Sequence, residues 1–181
     1  MSTSMFKQSL EFGRAGESVI AQWLIGRGCS VLPAYEKLIE ENKGPQLFTP
    51  NGSRIVPDLF VFGNGCVTWV EAKHKTAFTW HRKTSQFVTG IDVRHYQEYC
   101  QVDDETGWPV WLLFLHRGGT AKDSPPSPSG LYGNSLEMLR LCENHRHKNW
   151  GRSGMVYWAI KSLKKLDSLE NVLSKQYKVA I

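Results

Sequence analysis

The chain has 181 residues, 41% of them hydrophobic, with a formal net charge of +5. That suits one domain with its own core, excludes a disordered chain, and favours a polyanionic partner. No apolar run nears the roughly 20 residues of a membrane span, and Met1–Lys7 has no signal-peptide core. The four cysteines, Cys29, Cys66, Cys100 and Cys142, include no C-x-x-C pair. Their scatter argues against a zinc ribbon or disulfide framework and predicts a reducing, cytoplasmic setting away from membranes.

Taken in chain order, Gln8 to Arg27 reads as a helix, because Phe12, Gly16, Val19, Ile20, Trp23 and Leu24 recur at spacings of three and four. Gly26 and Gly28 stop it, and Cys29–Tyr35 reads as a first strand. Glu36–Ser53 is polar, with Gly44-Pro45, Pro50 and Asn51-Gly52, and predicts a long loop or irregular strand. Arg54–Phe62 and Cys66–Lys73 read as two strands flanking Asn64-Gly65, the dipeptide favoured at a two-residue type I′ turn. His74–Gly90 is basic and aromatic without clear periodicity. Asp92 predicts the cap of a helix carrying Val93, Tyr96, Gln97 and Cys100. Val110–Leu115 is a near-continuous apolar run, as in a central buried strand. Arg117–Asn134 is dense in Gly and Pro and predicts a surface loop. Ser135–Glu143 suits a short helix, Met155–Ile160 a last strand, and Asp167–Gln176 a terminal helix capped by Asp167.

The hairpin carries the chemistry. If Gly63 pairs with Cys66, counting back puts Asp58 opposite Glu71, with Cβ atoms ~5 Å apart on one face. Two carboxylates at that distance repel unless one is protonated or a cation lies between them. Lys73 shares their face because strand side chains alternate with period two. Val67 and Trp69 precede the charged pair on that face, and Phe60 and Phe62 follow Asp58, so the charges sit on an otherwise apolar row and need partners. Glu17 lies about 140° round the first helix from Phe12, at the edge of the apolar stripe, from which it can reach the rim of an adjoining sheet. Three carboxylates and a backbone carbonyl suit Mg²⁺, with Mn²⁺ as substitute, and Lys73 can stabilise developing negative charge. Each residue also has a plainer use. Asp58 suits a turn after proline, Glu71 and Lys73 suit exposed strand positions, and Glu17 alone suits a solvated helix face.

Pro57-Asp58…Glu71-Ala72-Lys73, preceded by a helix carrying Glu17, resembles the PD-(D/E)XK nuclease superfamily. The segment Gly13-Arg14-Ala15-Gly16-Glu17…Leu24…Gly28-Cys29-Ser30-Val31 is similar to the opening of its Holliday-junction-resolvase and restriction-like branches. The resemblance implies an α/β fold with a restriction-endonuclease-like αβββαβ core, a mixed central sheet flanked by helices. It covers residues 10 to about 116 of a single domain over 1–181, with a C-terminal strand and helix extension over about 135–181. It further implies Asp58, Glu71 and the Ala72 carbonyl as metal ligands, Lys73 as catalytic lysine, and Glu17 as the helix acid. Tyr96 and Gln97 fall where relatives place a group near the scissile phosphate. Lys75, Trp80, Arg82 and Lys83 interleave cations with aromatics, which suits nucleic-acid contacts and equally a basic surface loop with an aromatic or two in the core, and farther on Arg146 and Lys148 suit a solvated or phosphate-contacting loop. The expected activity is Mg²⁺-dependent DNA endonuclease chemistry by a chain able to act as a homodimer, with junction or branched DNA one substrate among the flaps, duplex sites, single strands and RNA that the sequence leaves open. A non-cleaving DNA-binding or assembly protein, or a nuclease subunit of a recombination or transposition complex, are the other readings.

Overall fold

A computed structural model of the chain describes residues 15–34, 45–50, 52–63, 65–120, 124–148 and 153–174. Residues 15–25 form helix α1. It ends in a Schellman motif: Cys29 N–H donates to Leu24 O (3.2 Å) and Gly28 N–H to Ile25 O (2.9 Å), with Gly28 at φ 83°. Strand β1 (Ser30–Pro33) follows, then β2 (Gln46–Thr49) and β3 (Gly52–Ile55), which pair only with each other. The main hairpin is β4 (Leu59–Gly63) and β5 (Cys66–Lys75). Next come β6 (Thr79–His81), β7 (Gln86–Asp92), α2 (Val93–Thr106) and β8 (Val110–His116). The chain continues through β9 (Gly130–Ser135), α3 (Leu136–Leu141), β10 (Glu143–His147), β11 (Met155–Ala159), β12 (Lys164–Asp167) and α4 (Leu169–Ser174).

The main sheet has the order β1-β4-β5-β8-β9-β12, and a second sheet has the order β10-β11-β7-β6. Within the main sheet only β5 and β8 run parallel, and α2 lies between them in the chain. A parallel pair needs such a crossover. The elements α1, β1, β4, β5, α2 and β8 thus supply the expected αβββαβ order within a mixed sheet flanked by helices. One face of that sheet buries Ile20, Trp23 and Leu24 of α1 and Val172 of α4 against Val61, Val70 and Leu113. The other buries Tyr99 and Val102 of α2 and Trp158 of the second sheet against Trp69, Leu112 and Phe114. Among the described residues no helix is long and apolar enough to cross a membrane.

Several predicted elements differ. Arg54–Phe62 is not one strand: β3 ends at Ile55 and β4 begins at Leu59. Pro57 has no N–H to give a ladder, and the chain changes sheets there. Residues 74–90, read as aperiodic, finish β5 and form the β6–β7 hairpin. Within Arg117–Asn134, expected to be a surface loop, β9 opens at Gly130 and is buried over five of its six residues. The Asn144–Asn149 stretch begins within strand β10, and β11 is followed by β12. The terminal helix is capped by Ser168, whose Oγ accepts from Asn171 N–H (3.2 Å). Asp92 and Ser135 cap α2 and α3, the former as expected.

Candidate active site

Strand pairing fixes the site. Gly63 pairs with Cys66 and Leu59 with Val70, so the same register carried one step outward sets Asp58 opposite Glu71. Gly65 at φ 73° suits the two-residue turn, while Asn64 lies outside the described residues. Asp58 occupies a bend held from several sides. Its carbonyl accepts from Ala34 N–H (2.8 Å), Val56 N–H donates to Pro45 O (2.9 Å), and Ile55 N–H donates to Glu98 Oε2 of α2 (3.2 Å). Its Oδ2 accepts the Ala72 N–H at 3.0 Å. The carboxylate is thereby aimed at β5 one residue from Glu71.

Lys73 Nζ touches Glu71 Oε1 and lies 4.0 Å from Asp58 Oδ2. The side chain of Glu71 is 0% exposed, against 20% for Asp58 and 30% for Lys73, so the pair opens to solvent on the Asp58–Lys73 side. The compensation of the buried Glu71 carboxylate is the Lys73 ammonium against Oε1. Burial, then the charge of Glu71, pushes the Asp58 carboxyl up to about 7, against the opposing pull of Lys73 and the Ala72 N–H. Burial works against the Lys73 ammonium too, but Glu71 and Asp58 outweigh it and hold that group above the usual lysine range. Glu17, half-buried on α1, is near enough for its charge to add to that effect. The structure therefore brings Asp58, Glu71, Lys73 and Glu17 to one place.

Two residues that sequence reasoning missed join them. Tyr99 of α2 is buried, and its hydroxyl is held well above the ordinary range by that burial and then by Glu71 and Asp58. His95, one turn earlier with its ring 5.9 Å from that of Tyr99, is lowered by burial and by Lys73, with Asp92 and Asp58 opposing. The sequence reading placed Tyr96 and Gln97 here instead. Tyr96 donates its hydroxyl to Glu143 Oε1 (2.6 Å) and packs on Trp158, so it belongs to the core beneath the second sheet. Gln97 is exposed, and two helical steps turn it about 200° from both His95 and Tyr99. The Asp92 cap marked the helix, but its site-facing side was readable only as a choice between i, i+4 pairs.

The expected nucleic-acid contacts divide. Lys75 continues the Glu71–Lys73 row and is lowered by burial and by its neighbour Lys73. Trp80 packs edge-on against Phe87, with ring centroids 5.0 Å apart. Arg146 is forked onto Glu143 (2.9 and 2.8 Å) and lies over the Tyr96 ring, so the structure spends it on an internal ion pair. Arg82 and Lys83, in the β6–β7 turn, and Lys148, after β10, are exposed.

No three His, Cys, Asp or Glu side chains gather as a metal-binding group among the described residues. What the hairpin offers is an all-oxygen set, Asp58, Glu71 and the Ala72 carbonyl, with the Glu71 carboxylate buried. That chemistry fits a hard divalent cation.

No protein-family model matches the sequence, and no curated protein matches it. Among solved structures the chain is similar to Hjc, a Holliday junction resolvase from the archaeal hyperthermophile Archaeoglobus fulgidus. The identity is 8%, over 80% of this chain and 86% of that one, with a TM-score of 0.45. It is also similar to a nuclease from a fusselovirus, at 10% identity over 97% of this chain and 94% of that one, with a TM-score of 0.41.

Proposed function

We propose that the chain is a divalent-metal-dependent DNA endonuclease, hydrolysing phosphodiester bonds at the Asp58–Glu71–Lys73 cluster. The observation that carries this reading is the buried Glu71 carboxylate, compensated by Lys73 and paired across the hairpin with Asp58. A carboxylate kept from water and set against a second carboxylate is a poor structural device. It suits a hard divalent cation as ligand.

Asp58, Glu71 and the Ala72 carbonyl would hold Mg²⁺, or Mn²⁺ in its place, with Glu17 at the margin. Bound there, the cation supplies charge stabilisation at the phosphate oxygens and a more acidic water. Lys73 would neutralise charge building on the phosphate in the reaction, since its ammonium remains charged through neutral pH. Glu17 would orient the attacking water, and Lys75 would take a neighbouring phosphate. Junctions and other branched DNA are the preferred substrates in this reading, and a homodimer would bring one site to each of two strands.

The test is a cleavage panel of labelled duplex, single-stranded, flap and four-way-junction DNA with Mg²⁺ or Mn²⁺, against a chelator control. Cutting should require the cation, and Asp58→Ala, Glu71→Ala and Lys73→Ala should each lower it by about 10²- to 10³-fold or more. Three variants that cut like the wild type would sink the assignment. Metal-independent DNA binding with no cutting of any substrate would favour a non-cleaving protein. Activity gained only with an added protein would favour a subunit of a larger complex.

A further inference from the structure

The second sheet has two unlike faces. Phe87, Ile91, Val156 and Trp158 turn toward the core under α2. On the opposite face the imidazole of His145 lies flat on the ring of Tyr157, with centroids 4.7 Å apart and 10° between planes. The ring of His81 lies flat on His145 in turn, at 4.1 Å and 15°. The three rings come from three strands, β11, β10 and β6, and Gly90 on the intervening β7 leaves room for Tyr157. A Cβ there would lie 2.8 Å from the Tyr157 ring. Tyr157 is the buried floor, and the imidazoles are half-buried above it. Each imidazole is anchored through Nδ1, His81 to Thr84 Oγ1 (2.8 Å) and His145 to Asn144 Oδ1 (2.7 Å).

Ionised side chains on this face are few, since burial holds His145 below the usual histidine range. Strand pairing directs Thr79, His81, Gln86, His145, His147 and Asp92 outward, and Asp92 is the single carboxylate among them. It is engaged in capping α2 through Arg94 N–H (2.9 Å) and in contact with Ser153. Exposed lysines stand at both ends, Lys83 in the β6–β7 turn and Lys148 beyond β10. The seven residues of β7 separate those ends, roughly 20 Å at strand spacing, or about six nucleotides of one B-form strand. The Lys148 end is also where β7 passes into α2, whose His95 faces Lys73 and Asp58.

We propose that this face is a second nucleic-acid contact, outside the cleavage cluster, in which Lys83 and Lys148 take backbone phosphates and the His81–His145–Tyr157 stack supports an unpaired base. Flat rings between cations match a strand whose bases can stack while its phosphates are neutralised. The inference rests on the nuclease reading for its partner and extends it, because it names where DNA lies beyond the scissile phosphate.

The test is anisotropy titration of labelled single-stranded and duplex oligonucleotides with the full chain, in chelator, at several salt concentrations, alongside cleavage of the same DNA in Mg²⁺. Lys83→Ala/Lys148→Ala should weaken both DNA forms and reduce the slope of log affinity against log salt by about 1.4 to 1.8, the counterions of two phosphates. His81→Ala/His145→Ala should weaken single-stranded DNA about tenfold, leaving the slope in place. The lysine variants lie in exposed turns and decide the question if the histidine variant fails to fold. Folded variants that bind with wild-type affinity and slope overturn this inference alone if the wild type cuts. A chain that binds through this face yet never cuts keeps the inference and loses the nuclease reading. A wild type that binds no DNA overturns both.

Discussion

Lys73 is the cation that makes a buried Glu71 tolerable, and Asp58 depends on it in part. Breaking a buried ion pair from one side commonly costs more than the pair contributes, because the remaining charge has no compensation. Lys73→Met should therefore lower stability by roughly 3 to 5 kcal/mol in the absence of divalent ions. Mg²⁺ should restore more stability to this variant than to the wild type, since a cation at the two carboxylates would replace the missing ammonium. Urea denaturation with and without Mg²⁺ measures both effects. A Lys73→Met chain as stable as the wild type in chelator would show that Lys73 does not neutralise Glu71. At this scale the geometry of the cluster was largely legible in the sequence. Strand side chains alternate, the Asn64-Gly65 turn fixes the register, and one proline places the bend at Asp58.

Elements decide what the single residues cannot. Helix α1 brings Glu17 to the cluster by lying close on β5, and Gly16 permits the approach: a Cβ there would stand 2.3 Å from the Cβ of His74. His74 is itself held, its Nε2 accepting from Arg117 Nε at 2.9 Å. Gly16→Ala should thus force helix and strand apart and cost about 1 to 3 kcal/mol of stability. Metal-dependent cleavage should fall as well, since Glu17 is the next residue. Thermal melting and the cleavage assay read these separately, and a Gly16→Ala chain that melts and cuts like the wild type contradicts this seating. Helix α2 shows where sequence reasoning stops. Its cap and extent were readable from Asp92, but Tyr96 and Tyr99 are both buried, one beneath Glu143 and the other beside Glu71. Helical periodicity gives relative phase only, and the neighbours that set the absolute phase come from strands far away in the chain.

Across the whole molecule, Asp167 joins the last described strand to the first described helix. Its Oδ2 accepts from Trp23 Nε1 and Arg27, each at 3.0 Å, and its Oδ1 from Asn171 Nδ2 (2.9 Å) and Ser168 N–H (2.9 Å). These bonds, led by Asn171 and Trp23, hold the carboxyl well below the usual aspartate range. A folded-state value below the unfolded one stabilises the fold above the unfolded pKa, near 4, and that contribution is lost as pH falls toward the folded value. Asp167→Ala should cost about 1 to 2 kcal/mol at neutral pH, since the group is partly exposed, while leaving the Asp58–Glu71–Lys73 cluster intact. The gap between variant and wild type should narrow as the pH is taken from 6 down to about 3. Denaturation at several pH values checks this, and a gap that does not depend on pH would rule the linkage out.

Local rules settled much by themselves: the Asp58/Glu71 register, the row of charges ending in Lys73, the helix stop at Gly28, and the buried strand at Val110–Leu115. Each depends on turn chemistry or a period of two or 3.6, and both act over a few residues. Only tertiary structure decided which side of α2 meets the carboxylates, that Tyr96 donates to Glu143, and that three rings from β6, β10 and β11 form one stack. Those facts depend on pairings between segments tens of residues apart. Such pairings are set by which faces bury together, and no local pattern encodes that.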